Sequence, residues 1–164
     1  MIRLTTMTDS DFGWLLGEVP ARSDGLVRPK PNIAPAEVLA MLRDITAAIA
    51  SADDRPVAWL ASESGTVVAM ISFTKRAADG RYEIGYGVAP GYQGQGVMTR
   101  ALASLLPLLA AQGHLGLTVE TSVDNPASQR VLEKNGFART GTRDDPEDGA
   151  LIIWAIDLNE KAEA

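Results

Sequence analysis

The passage YEIGYGVAPGYQGQGVMTRALASLLPLLAAQG, from Tyr82 to Gly113, restricts the fold of this chain more than any other stretch. It joins an apolar strand to a long helix with an apolar face, through a loop holding three glycines and two glutamines. A plain turn needs one or two glycines. Strand alternation puts Tyr82, Ile84, Tyr86 and Val88 on one face, and Glu83, Gly85 and Gly87 on the other. That second face is nearly bare, with one carboxylate at its near end. Two glycines on one strand face mark either a bend needed for packing or the close approach of a ligand.

The loop then runs PGYQGQG into the helix. The first N–H groups of a helix lack intrahelical partners, and the helix dipole favours negative charge at that end. Glycines let a phosphate reach those donors with no Cβ in the way, while Gln93 and Gln95 add amide donors without charge. Gln93, Gly94, Gln95, Gly96, Val97 and Met98 therefore form a candidate diphosphate cradle, ending at Thr99 in the first helical turn. A Walker loop is excluded, because no Gly-Lys-Ser/Thr occurs. The dinucleotide fingerprint is a rival: Thr99 stands where its third glycine belongs after Gly94 and Gly96, and Glu120 falls where a ribose-binding acid would sit. That fingerprint turns directly off its strand, whereas about five residues separate Val88 from Gly94 here.

Around this unit the patterning is regular. A short strand in IRLTTM precedes a helix started by Thr8 or Asp9. Gly and Pro make Arg22 to Pro35 a long loop. The next segment places Val38, Met41, Leu42, Ile45 and Ile49 on one helical face. VAWLAS and TVVAMISF form a hairpin about Glu63–Ser64–Gly65. The long helix spans about Gln95 to Gln112, with Met98, Ala101, Leu102, Leu105 and Leu109 toward the core and a kink expected at Pro107. A strand, a helix and two strands follow, giving β-α-α-β-β-β-α-β-α-β-β. This predicts a mixed α/β domain with a mostly antiparallel sheet, in which the strand–helix–strand unit from Tyr82 to Ser122 demands one parallel pair. Residues 1–158 read as one domain and 159–164 as a frayed tail. Trp14, Trp59 and Trp154 read as core, and His114 as a partner of the carbonyls at a helix end.

Composition removes several function classes. With no cysteine and a single histidine, neither thiolate chemistry nor a zinc site is expected, and no metal is assigned. A formal charge of −6 argues against a nucleic-acid partner. No apolar run is long enough to span a membrane, and MIRLTTMTDSDF lacks the apolar segment of a signal peptide, so a cytoplasmic location is expected.

GYQGQGVMTRAL resembles the acetyl-CoA pyrophosphate loop of the GNAT acyltransferases, Gln/Arg-x-x-Gly-x-Gly/Ala. Gln93 fills its first position and Gly96 its fourth, while Met98 departs from the small residue of the sixth. VDNPASQRVLEKNGFARTGT is similar to a second signature, that of the branch related to ribosomal-protein N-terminal acetyltransferases, with Asn125, Ser128 and Asn135–Gly136–Phe137. The likeness spans Tyr82 to Thr142 and stops short of Arg22–Pro35. It implies a GNAT-like fold whose parallel strands, Tyr82–Val88 and Leu117–Ser122, splay into a V that admits the pantetheine arm. It also puts the Val88 N–H near the thioester oxygen and assigns Asn125 to the cofactor arm.

Acyl transfer to an amine needs a neutral amine, a polarised thioester and a route for protons. Glu83 is the first candidate base and Glu120 the second. Many members of the family protonate the leaving thiolate with a tyrosine four residues before the glycine of the Gly–Phe pair. That position is Leu132 here, so Ser128, one turn earlier, is the candidate acid, or else only a helix-start hydrogen-bonding residue. In RDDPEDG, Glu147 either grips the amine or belongs to a solvated turn. Without a catalytic role for these groups, the chain would be a non-catalytic acyl-CoA binder. The expected partners are acetyl-CoA and an amine acceptor, and the resemblance allows a homodimer.

Overall fold

Caps and turns fall where the patterning breaks. The computed structural model describes residues 1–19 and 22–158. Strand β1 (Arg3–Thr6) leads to α1 (Asp9–Leu15), whose N-cap Thr8 donates its N–H to the Asp11 carboxylate at 2.6 Å. The loop from Arg22 onward makes one bridge, Val27 to Thr66, before α2 (Ala36–Ala50). Strands β2 (Ala58–Glu63) and β3 (Thr66–Arg76) form the expected hairpin, with positive φ at Ser64 and Gly65. After β4 (Tyr82–Val88) and a single 3-10 turn at Pro90–Tyr92 come α3 (Val97–Ala111) and β5 (Gly116–Ser122). Helix α4 (Pro126–Lys134) and strands β6 (Ala138–Asp145) and β7 (Gly149–Asp157) complete the fold. The predicted frayed tail, 159–164, lies outside the described residues.

The strands form one sheet in the order β1-β2-β3-β4-β5-β7-β6. Every pairing is antiparallel except β4–β5. Element order and mixed sheet agree with the sequence reading. The parallel pair is short: only Tyr82↔Leu117 and Glu83↔Thr118 are in register. Beyond Glu83 the two strands lie apart.

Two apolar layers cover the sheet. Helices α3 and α4 pack on one face, burying Trp59, Phe73, Tyr82, Leu102, Leu105 and Trp154. Helices α1 and α2 with the Arg22–Pro35 loop cover β2 and β3 on the other, over Phe12, Leu15, Leu39, Leu60 and Met70. All three tryptophans are buried, as are the five expected core residues of α3. Helix α3 runs through Pro107 unbroken, since Pro107 and Ala103, whose carbonyl loses its partner, both face solvent. The expected face of α2 needs correction. Met41 is 53% exposed, whereas Val38, Leu42, Ile45 and Ile49 are half-buried as expected, and Leu39 and Thr46, two turns apart, are the buried positions. Among the described residues no helix is long and apolar enough to cross a membrane.

Candidate active site

The parting of β4 from β5 creates the site. Ala89 donates its N–H to Val68 O at 2.8 Å, and Val88 sits opposite Ala69 in the β3–β4 ladder. Successive residues of an antiparallel ladder turn their N–H groups to opposite sides. The N–H groups of Val88 and Tyr86 therefore turn away from β3, toward an edge that β5 has left. Unpaired strand donors in a sheet interior await a partner.

At the far end of this opening lies the glycine loop. Gly94 (φ +77) and Gly96 (φ +72) occupy the left-handed region, and a Cβ on either meets no atom within 4 Å. Side-chain strain, not crowding, selects glycine there, and the space above them stays free for a ligand. Gly96 is the N-cap of α3 and no side chain caps it. Its carbonyl accepts the first intrahelical bond, from Arg100 at 3.1 Å, so the N–H groups of Val97, Met98 and Thr99 point out of the helix. Gln93 and Gln95 turn their amides back onto Val88 O and Gly91 O, at 3.4 and 3.5 Å, and so brace the loop.

Helix α4 forms the opposite wall. Asn125 caps it by accepting the Ser128 N–H at 3.2 Å. Gly136 (φ +84) ends it, with Phe137 N–H on Leu132 O at 3.0 Å. The Asn135 amide reaches Val131 O at 2.9 Å and Thr99 O at 3.3 Å, which ties the end of α4 to the first turn of α3. Between loop, strand and helix is a cavity of about 530 Å³, whose walls include Val88, Gly96, Asn125, Ser128, Arg130 and Lys134. Arg130 and Lys134, one helical turn apart, make no ion pair within 4.0 Å among the described residues. A second cavity, about 220 Å³, opens beneath α2 and the Arg22–Pro35 loop, against Ile33, Val38, Leu42, Met70 and Ser72. Tyr86 and Gly87 line both cavities.

The bare face of β4 belongs to this second cavity. A Cβ on Gly85 would come within 3.2 Å of Thr74 Cγ2, so a larger residue there would have to push Thr74 aside by a few tenths of an ångström. A Cβ on Gly87 would meet only Ile33 Cγ2 at 4.0 Å, so the space beside that glycine is open. Crowding thus bears on Gly85 and open space on Gly87. It is the edge of β4, not its bare face, that meets the larger cavity.

Residues 2–138 match the acetyltransferase (GNAT) domain. The chain belongs to the GNAT family. A ribosomal-protein-serine acetyltransferase of Escherichia coli (strain K12) is 35% identical over 77 residues, 46% of this chain and 43% of that relative, so the match spans less than half of its length. An acetyl transferase from Salmonella typhimurium that modifies the N-terminal serine of the 50S ribosomal subunit protein L7/L12 has a similar structure. Its TM-score is 0.69 at 20% identity, covering 95% of this chain and 94% of that one. AAC(6')-Ib in complex with paromomycin and acetyl-CoA gives 0.67 at 19%, covering 99% and 96%. At such identities the likeness to these two structures is one of fold.

Within this GNAT fold the candidate carboxylates are dispersed. Glu83 stands where β4 and β5 part, and its Oε1 accepts from Thr74 Oγ1 at 3.1 Å. Thr74 is the extra residue of a bulge, and bulges re-aim side chains beside working sites. Glu120 is held by Arg143 at 2.7 Å and lines neither cavity. Glu147 is exposed in the β6–β7 turn, where the Asp145 carboxylate accepts its N–H at 2.9 Å. His114 closes α3 with its backbone N–H on Leu109 O, but its ring is buried against Phe73 and Tyr82. Burial, with repulsion from Arg55, pushes that imidazole down to about 4. Leu132 is fully buried.

Sequence reasoning passed over Tyr86, Arg130 and Lys134. The basic pair carried a signal, its spacing of four on a predicted helix. Tyr86 carried none, because alternation only grouped it with Tyr82, Ile84 and Val88 on one strand face, and there it is packed against the core.

Proposed function

We propose that this chain is a cytoplasmic N-acetyltransferase that moves an acetyl group from acetyl-CoA to a primary amine by direct attack. The observation that carries this reading is the opening between β4 and β5, where the Val88 N–H turns away from β3 and where Tyr86 and Gly87 line both cavities. The N–H groups of Val97, Met98 and Thr99 would hold the diphosphate, braced by Gln93, Gly94, Gln95 and Gly96. Arg130 and Lys134 would face its negative charge, and the pantetheine arm would lie along the edge of β4 beside Asn125. Bound acetyl-CoA supplies the activated acetyl group. The Val88 N–H would stabilise the oxyanion as the amine attacks, a contribution of about 3 kcal/mol for a fixed donor.

The acceptor enters through the second cavity in this reading. Its named walls carry no charge, which suits an amine flanked by a small uncharged group, either a peptide N-terminus or a small molecule. Glu83 lies on the same strand face as Gly85 and Gly87 and would draw off the ammonium proton through water. Glu120 and Glu147, held or exposed elsewhere, are the weaker candidates for base and substrate grip. A non-catalytic acyl-CoA binder is the second reading, favoured by Leu132 in place of the usual tyrosine.

The test is thiol release with acetyl-CoA over a panel of amines, alongside calorimetry of Gly96→Glu. That substitution places a carboxylate at a left-handed helix N-cap meant for phosphate, so binding should weaken by about 100-fold or more with the fold retained. Unchanged affinity would sink the loop assignment. Tight binding with no amine acetylated would favour the non-catalytic reading.

A further inference from the structure

The acetyl carbon must be reachable from both cavities, because its carrier fills one and its acceptor comes through the other. Among the described residues only Tyr86 and Gly87 line both. Gly87 has no side chain, and Tyr86 carries its own on the α4 side of the strand, so its hydroxyl is the one side-chain polar group that these two residues bring to the crossing point. That hydroxyl lies 2.6 Å from Ser128 Oγ, a bond that spans the opening from β4 to the first turn of α4. Ser128 in turn is fixed through its N–H by Asn125 at 3.2 Å.

Resting on the acetyl-transfer reading above, we propose that Tyr86, held by Ser128, is the proton donor to the departing thiolate of coenzyme A. The usual tyrosine of α4 is Leu132 here, buried in the core and chemically inert. A phenol delivered from β4 would replace one delivered from α4. Burial raises the Tyr86 phenol above its ordinary range, partly offset by the bond to Ser128, so it stays protonated through neutral pH.

The step balances as follows for each bond. The amine nitrogen bonds to the thioester carbon, the C–S bond breaks, and its electron pair moves to sulfur. Sulfur takes the Tyr86 hydroxyl proton, Tyr86 is reprotonated by Ser128, and Ser128 by water. The proton lost from nitrogen leaves to solvent, so one proton departs the amine and one joins the thiol. Because a thiol pKa of about 8.5 already makes a tolerable leaving group, the gain belongs at the modest end of acid catalysis.

Two measurements on the full chain decide this. In the complex with coenzyme A, the ultraviolet absorbance of the thiolate should titrate about one unit below that of free coenzyme A, since a donor to sulfur favours its charged form. In Tyr86→Phe that difference should vanish while coenzyme A still binds. With acetyl-CoA and an accepted amine, kcat of Tyr86→Phe should fall about 10- to 100-fold with KM for acetyl-CoA within about two-fold. Ser128→Ala should show a smaller loss of the same kind. Equal thiol titration in wild type and Tyr86→Phe, or kcat retained within about two-fold, overturns the donor role and leaves the acetyl-transfer reading standing. A wild-type chain that binds no coenzyme A overturns both. One that binds it with a lowered thiol pKa but acetylates no amine overturns transfer and the donor role with it, leaving only a hydrogen bond from Tyr86 to sulfur.

Discussion

The two ends of β4 differ in what surrounds them. At Tyr82 and Glu83 the strand is paired on both edges, to β3 and to β5. There Phe73 stacks on Tyr82 with ring centroids 4.3 Å apart, and Trp59 and His114 meet Phe73 edge-on at 5.3 and 5.1 Å. The Tyr82 hydroxyl is held by Asp53 at 2.8 Å, and Asp53 by Arg55. Three residues further on, one edge is free, two glycines replace side chains, and the polar contact is the Tyr86–Ser128 bond. Rigidity at one end is what allows hydrogen-bond donors to stand unpaired at the other. Without the closed end, β5 and β4 would have no fixed point from which to part.

The largest expected effect comes from weakening the closed end. Phe73→Ala removes a fully buried ring that touches three other aromatic groups, and should destabilise the fold by about 3–5 kcal/mol. Urea unfolding measures the loss. Calorimetry on the folded variant should show coenzyme A affinity within about two-fold of wild type, the reverse of the pattern expected for Gly96→Glu. If affinity fell as far as stability, the two ends would not be separable.

A smaller effect follows from pH. His114 is buried and neutral in the fold, with its imidazole depressed from 6.5 to about 4. Between those values the unfolded chain binds a proton that the folded chain refuses. Stability therefore rises with pH across that window, and falls by about 3 kcal/mol as pH drops from 6.5 to 4. Of the charged groups around it, Asp53 favours and Arg55 opposes protonation. Asp53 itself is held below the ordinary carboxylate range by Arg55, so its own stabilisation is lost only below the His114 window. Unfolding free energies at pH 7 and pH 4.5 should show the drop in wild type and a flatter slope in His114→Gln. An equal slope in both would assign the acid sensitivity elsewhere.

The unequal surroundings of the two ends also explain what the sequence disclosed. Glycines, caps and apolar periodicity are local, so the element order, the core face of α3 and the loop from Gln93 to Thr99 were all legible. The need for a parallel pair followed from chain connectivity, but the place where it ends depends on side chains of β3, β5 and α4 that meet only in the fold. Glu83 and Gly85 share a strand face by alternation, yet the bulge at Thr74 that braces them against β3 leaves no mark in composition. Tyr86 shows the limit most clearly. Its ring obeys the core pattern while its hydroxyl serves the opening, and one letter in an alternating strand cannot express both.

The smallest expected effect sharpens the open end. Arg130 and Lys134 line the larger cavity from α4 but carry none of its fold: both are exposed, and neither is ion-paired among the described residues. Screened by water and salt, each exposed cation is worth at most about 1 kcal/mol toward a bound phosphate. Arg130→Ala and Lys134→Ala should each raise the Kd for coenzyme A by about three- to five-fold in dilute buffer, and the difference should shrink at high salt while unfolding free energies stay put. Dephospho-coenzyme A, which lacks the ribose phosphate but keeps the diphosphate, separates the roles. If a variant binds it as well as wild type does, that cation faces the ribose phosphate. If the loss persists, the cation shares the diphosphate with the N-terminus of α3. A loss unaffected by salt would mean the side chain acts by packing, and the charge at this wall would be incidental.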